Sequence, residues 1–184
     1  MKKIFPVILV AFVLVNFSTS YSQVSLTLNA GVEIPIRNFS NTVSNGYGLS
    51  ASAGYSVPLT PVEIALSAGY DNWPYTLHPG PSNSNIIIYS IPVTLGPKLF
   101  INIPGLGFEP YIGIEAGVVY SNSTLPNSSS TSDFIYTPAI GFRYNLPLSI
   151  IAIDINVKDS NYKNTSNNQT ISWFSINGGI TLSL

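Results

Sequence analysis

Cysteine is absent from the 184 residues. Its absence excludes disulfides, thiolate metal sites, a cysteine nucleophile and a lipid-anchoring cysteine behind a leader. Charge is scarce as well. Only 8% of the residues are charged, against roughly 25% in an ordinary soluble domain. Hydrophobic residues make up an ordinary 45%, so the deficit is filled by Ser, Asn, Thr, Gly and aromatic residues. The formal net charge of −1 offers no basic surface, and nucleic acid is excluded as a partner. Histidine occurs once, as His78. A catalytic histidine needs a positioned nucleophile and an orienting carboxylate. Asp71, Ser82 and Ser84 are near it in sequence, but no distinctive spacing joins them. With no second histidine and no acidic cluster in one loop, neither a metal site nor a cofactor is expected, and the chain reads as non-enzymatic.

What is present begins with a leader. Lys2 and Lys3 form a basic start, and Ile4 to Phe17 form a nearly continuous apolar run. The polar tail Ser18-Thr19-Ser20-Tyr21-Ser22 places small residues where a signal peptidase would cut before Gln23. Residues 1–22 are therefore expected to be a cleaved signal peptide, and residues 23–184 a single mature domain. The alternative is an N-terminal anchor. Against it, Pro6 and Asn16 interrupt the run, which is shorter than the ~20 apolar residues of a spanning helix. No later apolar stretch is long enough to be one.

From Gln23 onward the dominant period is two. In Ile171 to Leu184, the residues Phe174, Ile176, Ile180, Leu182 and Leu184 share one face, while Ser175, Asn177, Thr181 and Ser183 share the other. Successive side chains of a strand point to opposite faces, so the segment reads as a strand with one apolar face. The same alternation recurs over 24–34, 47–57, 62–71, 87–99, 108–120, 136–144 and 151–158, giving eight strands. An even number suits a closed up-and-down barrel. Turns at 58–61, 102–107 and 145–147 are short; loops at 37–46, 72–85, 122–132 and 160–169 are longer and polar. Short and long connections on opposite rims are the pattern of outer-membrane barrels.

Parity alone does not say which face points inward. A soluble barrel would wrap the apolar face around a ligand; a membrane barrel would turn it to lipid. The polar face is mostly Gly, Ser, Thr and Ala, which suits a narrow lumen better than a soluble exterior. Aromatics of the apolar face sit near strand ends (Tyr47, Tyr55, Tyr70, Phe108, Tyr120, Tyr136, Tyr144, Phe174), as interfacial girdles do. The fold class expected is therefore all-β, an eight-stranded antiparallel up-and-down transmembrane β-barrel. Pro92, Pro97, Pro110 and Pro138 fall inside proposed strands, where bulges or early strand ends are expected. Trp173, bulky for a lumen, is expected near a rim.

The stretches Ala51-Ser52-Ala53-Gly54-Tyr55, Ile91-Pro92-Val93-Thr94-Leu95-Gly96-Pro97-Lys98 and Pro110-Tyr111-Ile112-Gly113-Ile114-Glu115-Ala116-Gly117 resemble the bacterial outer-membrane β-barrel domain family. That family is similar to the small eight-stranded barrels of the outer membrane protein X and A type (OmpX, OmpA). The resemblance covers the mature chain. It implies a Gram-negative outer membrane, membrane lipid and the barrel-assembly machinery as partners, and no particular reaction. Members usually end in an aromatic residue, whereas this chain ends in Leu184.

The polar face carries the candidate site, a lumen network of Glu33, Glu63, Asp71, Lys98, Glu109, Glu115, Arg143, Asp154 and Lys158. Buried charges are costly unless paired, so acids and bases should meet across the interior. The turn between the fourth and fifth strands suggests Lys98 opposite Glu109, and Arg143 within reach of Glu115 or Asp154. Such a network would either rigidify a closed interior or form an ion path. The Ser-, Asn- and Thr-rich loops could bind an extracellular ligand. A structural or cell-surface role is expected of a monomer. A narrow channel or transport component, a lipid-modifying barrel enzyme and a soluble ligand-binding barrel are the alternatives.

Overall fold

The computed structural model describes residues 23–75, 86–101, 107–124, 130–147, 150–165 and 168–184. The predicted leader and His78 lie outside them. Eight strands form a closed antiparallel barrel in chain order: β1 (Val24–Ile36), β2 (Gly46–Ser56), β3 (Val62–Pro74), β4 (Ile87–Phe100), β5 (Phe108–Ser123), β6 (Thr131–Asn145), β7 (Ile151–Lys163) and β8 (Thr170–Ser183). The first and last strands close it, with Ser25 opposite Ser183 and Ile36 opposite Ser172. A short 3₁₀ turn, Arg37–Asn41, follows β1. Among the described residues no helix is long and apolar enough to cross a membrane.

The alternating pattern becomes a radial one. Leu28, Leu49, Leu66, Leu95, Ile112, Ile140, Ile153 and Ile180 all face outward and are exposed, while Ser25, Thr27, Ser67, Thr94, Thr137, Asn156, Ser175 and Thr181 are buried inside. The barrel is thus polar within and apolar without. The start of β1, the end of β8 and the short turns share one rim: the Leu184 amide donates to the Val24 carbonyl and the Ser56 amide to that of Gln23. The longer connections share the other.

The prolines do not produce bulges or end strands. Register is the same on both sides of each one: Ala68 faces Val93 and Asp71 faces Ser90 around Pro92, Leu95 faces Ala116 and Lys98 faces Gly113 around Pro97. Along β6, Pro138 faces Ile114 without interruption, and Pro110 faces Phe142. A strand residue of an antiparallel sheet directs its N–H to one neighbour only. The missing donor therefore removes a local pairing on one side and leaves the other ladder whole.

The strands also run further toward the long-loop rim than the alternation suggested. β6 begins at Thr131 and not at residue 136, and β7 continues to Lys163. Those extensions read as polar loop in sequence because their inward positions include Asp133 and Ser160, both buried.

Candidate functional site

The lumen is filled in layers. At the short-turn end Arg143, from β6, donates two hydrogen bonds to Glu63 of β3, Nη1 to Oε2 at 3.0 Å and Nη2 to Oε1 at 3.3 Å. Lys98 Nζ lies 3.9 Å from the same carboxylate, and the Ser25 hydroxyl donates to it at 3.0 Å. Arg143 Nε also stands 3.9 Å from Asp154, which accepts hydrogen bonds from Tyr111 at 2.9 Å and Asn156 at 2.8 Å. Phe100 covers the guanidinium, 4.6 Å from Cζ to the ring centre, and Tyr111 packs on Phe100 at 5.0 Å. Two cations are thereby desolvated, paired and capped by rings.

Halfway up, Glu115 accepts from the Thr94 hydroxyl at 2.7 Å and pairs with Lys158 at 3.5 Å. Above it Glu33 accepts from the Ser175 hydroxyl. Glu33 and Asp71 both lean over Gly48: a Cβ there would strike Glu33 Oε1 and lie 2.8 Å from Asp71 Oδ1. A side chain there would have to push the ends of the two carboxylates aside. A cavity of about 40 Å³ lies among Glu33, Asp71, Glu115 and Lys158, space for a few waters at most.

Of the nine charged residues expected in the lumen, Glu33, Glu63, Asp71, Lys98, Glu115, Arg143 and Asp154 are buried and Lys158 is half-buried. Glu109 stands apart. It is half-buried at the short-turn rim, opposite Arg143 in register, while the guanidinium turns inward to Glu63. Lys98 does not face Glu109: it faces Gly113 in register and reaches Glu63 on the other side. Glu115 is taken by Lys158, and of the two acids expected for Arg143 only Asp154 is near it. The reason is the narrow bore. Side chains pointing inward from opposite walls meet as readily as those on adjacent strands, so pairing follows height in the barrel. Among the described residues no three His, Cys, Asp or Glu side chains gather as a metal site.

The long-loop end is closed by aromatic residues that the sequence did not single out as a group. Trp73, Trp173, Tyr162, Phe39, Val43, Val119 and Ile135 form one buried cluster. Trp73 meets Trp173 edge-on at 5.1 Å and Phe39 at 5.2 Å, and Tyr162 meets Trp173 at 6.0 Å. Edge-to-face geometry at these distances is the favoured arrangement of aromatic pairs. Phe39 comes from the 3₁₀ turn after β1, folded back over the bore. The signal was parity: Trp73 continues the inward series Glu63, Ala65, Ser67, Asp71, and Tyr162 continues Asp154, Asn156, Ser160. Above the plug a vestibule of about 270 Å³ opens at the rim, lined by Asn38, Phe39, Thr42, Tyr162, Gln169 and Thr170 among others.

No known family profile matches the chain, and no curated protein sequence does. Solved structures do. Neisserial surface protein A superposes with a TM-score of 0.68 at 14% identity, over 90% of this chain and 100% of that one. OprG from Pseudomonas aeruginosa, an outer membrane protein, gives 0.53 at 13% identity over 90% and 99%. The N-terminal β-barrel domain of Pseudomonas aeruginosa OprF gives 0.50 at 13%, over 89% and 98%. At such identities the likeness is one of fold: the chain has the architecture of the small outer-membrane barrels.

Proposed function

We propose that this protein is an integral, non-enzymatic barrel of a bacterial outer membrane that works through the surface its long connections expose. The observation that carries this reading is the inverted distribution of polarity, with ion pairs inside and Leu, Ile and Val outside. In water that exterior would be an aggregation surface; in lipid it is the ground state. The dimensions agree. β1 has 13 residues, roughly 43 Å at about 3.3 Å each. Tilted by about 40°, it still exceeds the ~25 Å apolar band of such barrels. Outward aromatics border that band, with Tyr70 stacked on Tyr89 toward the long-loop rim and Phe108 against Phe142 toward the other.

Export through the leader expected over residues 1–22 belongs to this proposal, as does an orientation with the short turns in the periplasm. One structural neighbour, Neisserial surface protein A, is by its name a surface protein, which agrees with the reading. A conducting role is disfavoured because the bore holds an aromatic plug, a 40 Å³ cavity and a paired charge layer in series.

The test is heat modifiability of the full-length protein expressed in a Gram-negative host. Membranes extracted in detergent should yield a band whose mobility changes on boiling, and planar bilayers should show no discrete conductance. Recovery in the soluble periplasmic fraction, with no mobility change, would overturn the reading.

A further inference from the structure

We infer that the vestibule at the long-loop rim is a binding site for a single uncharged sugar residue, such as the terminal hexose of a surface or environmental polysaccharide. The inference rests on the outer-membrane reading, which places this rim outside the cell. The vestibule of about 270 Å³ is below the 300–1,000 Å³ typical of drug-sized ligand sites and suits one pyranose ring.

Its lining has the chemistry of such a ring. Ile88 and Ile171, half-buried and packed on the plug, together with the small exposed parts of Phe39 and Tyr162, offer an apolar floor for the C–H face of a sugar. The walls carry Asn38, Thr42, Gln169 and Thr170. Amides and hydroxyls donate and accept from the same side chain, as a ring of alternating hydroxyls requires.

Among the described residues no charged side chain lines the vestibule. The charges of the same rim are engaged elsewhere or turned away. Asp133 accepts from the backbone amide of Thr165 at 2.9 Å and from its hydroxyl. Arg37 donates to Asn161 and Ser172, each at 3.3 Å. Lys163 is exposed on the strand face opposite Tyr162. A uronate, phosphate or sulfate entering the vestibule would shed hydration and meet no counter-ion, so the site selects neutral saccharides.

The experiment is saturation-transfer NMR on the full-length protein in nanodiscs of phosphatidylcholine, since glycosidic detergents would compete. Glucose, galactose, mannose and N-acetylglucosamine are the probes, against glucuronate and glucosamine. Binding of at least one neutral sugar is expected, with transfer strongest to the C–H protons of one ring face. Binding of the charged sugars is expected to be absent or weaker. The double variant Asn38→Ala/Thr42→Val, in and directly after the 3₁₀ turn and clear of the lumen network, should weaken binding about tenfold, the loss of roughly 1.4 kcal/mol. Leu59→Ser, on the far rim, should leave it unchanged. Each sample is checked for the heat-dependent mobility change. No transfer to any neutral sugar from protein that passes the check overturns the inference and leaves the barrel reading intact. So does transfer that the double variant leaves unchanged. Failure of the wild type in the check overturns the membrane reading and this inference with it.

Discussion

Arg143 and Glu63 are 80 residues apart in the chain, on strands that are not neighbours in the barrel, yet they form a two-pronged ion pair with contacts of 3.0 and 3.3 Å. Both are buried. The pair ties β3 to β6 across the lumen, at a point where no backbone hydrogen bond could do so.

Removing one partner strands the other charge in the interior. Glu63→Gln or Arg143→Met should each destabilise the barrel by about 3–5 kcal/mol, whereas the double variant should regain more than half of that loss. Urea unfolding in lipid vesicles measures it. Additive losses would show that the two charges do not act as a unit.

Leu28 sits at mid-height on the outer wall and Leu59 in the turn between β2 and β3, both exposed. In a membrane Leu28→Arg should cost about 2–4 kcal/mol, while Leu59→Arg should stay within roughly 0.5 kcal/mol. In a water-soluble barrel the two would be alike, so comparing them in the same vesicles tests where the outer wall resides.

Gly48 and Gly178 make a second contrast. A side chain at Gly48 meets the Glu33 carboxylate, whereas a Cβ at Gly178 has nothing within 4 Å. Gly48→Val should lower folding yield modestly, because the ends of the two carboxylates must move apart, and Gly178→Ala should fold like the parent. Equal yields would mean that the acids rearrange without penalty.

The two tryptophans of the chain both lie in the plug. Their fluorescence should be blue-shifted and resistant to acrylamide in the folded barrel. Trp73→Ala or Trp173→Ala should each destabilise by about 3–5 kcal/mol, and Phe39→Ala should make both indoles accessible to quencher. Indoles quenched freely in the parent would contradict a closed mouth.

The number of strands, their order of short and long connections and the division of residues between two faces were legible in the sequence, because a strand's side chains alternate whatever surrounds them. Position along the chain placed Glu33, Glu63, Asp71, Lys98, Glu115, Arg143, Asp154 and Lys158 on the face that became the lumen. Composition favoured that face as the inner one, since a shortage of charge leaves nothing to coat a soluble exterior. The choice between the two faces, however, belongs to closure, which alone defines an inside. Closure also decided the partners. It brought Arg143 to Glu63 and not to Glu115, whereas Lys98 meets Glu63 through the β3–β4 register and not Glu109. The plug had the same origin: Trp73, Trp173, Tyr162 and Phe39 come from four separate stretches of chain and share only a height in the barrel. Alternation is a local property and survives in one dimension. Contact across a bore depends on register, stagger and closure together, which exist only once all eight strands are in place.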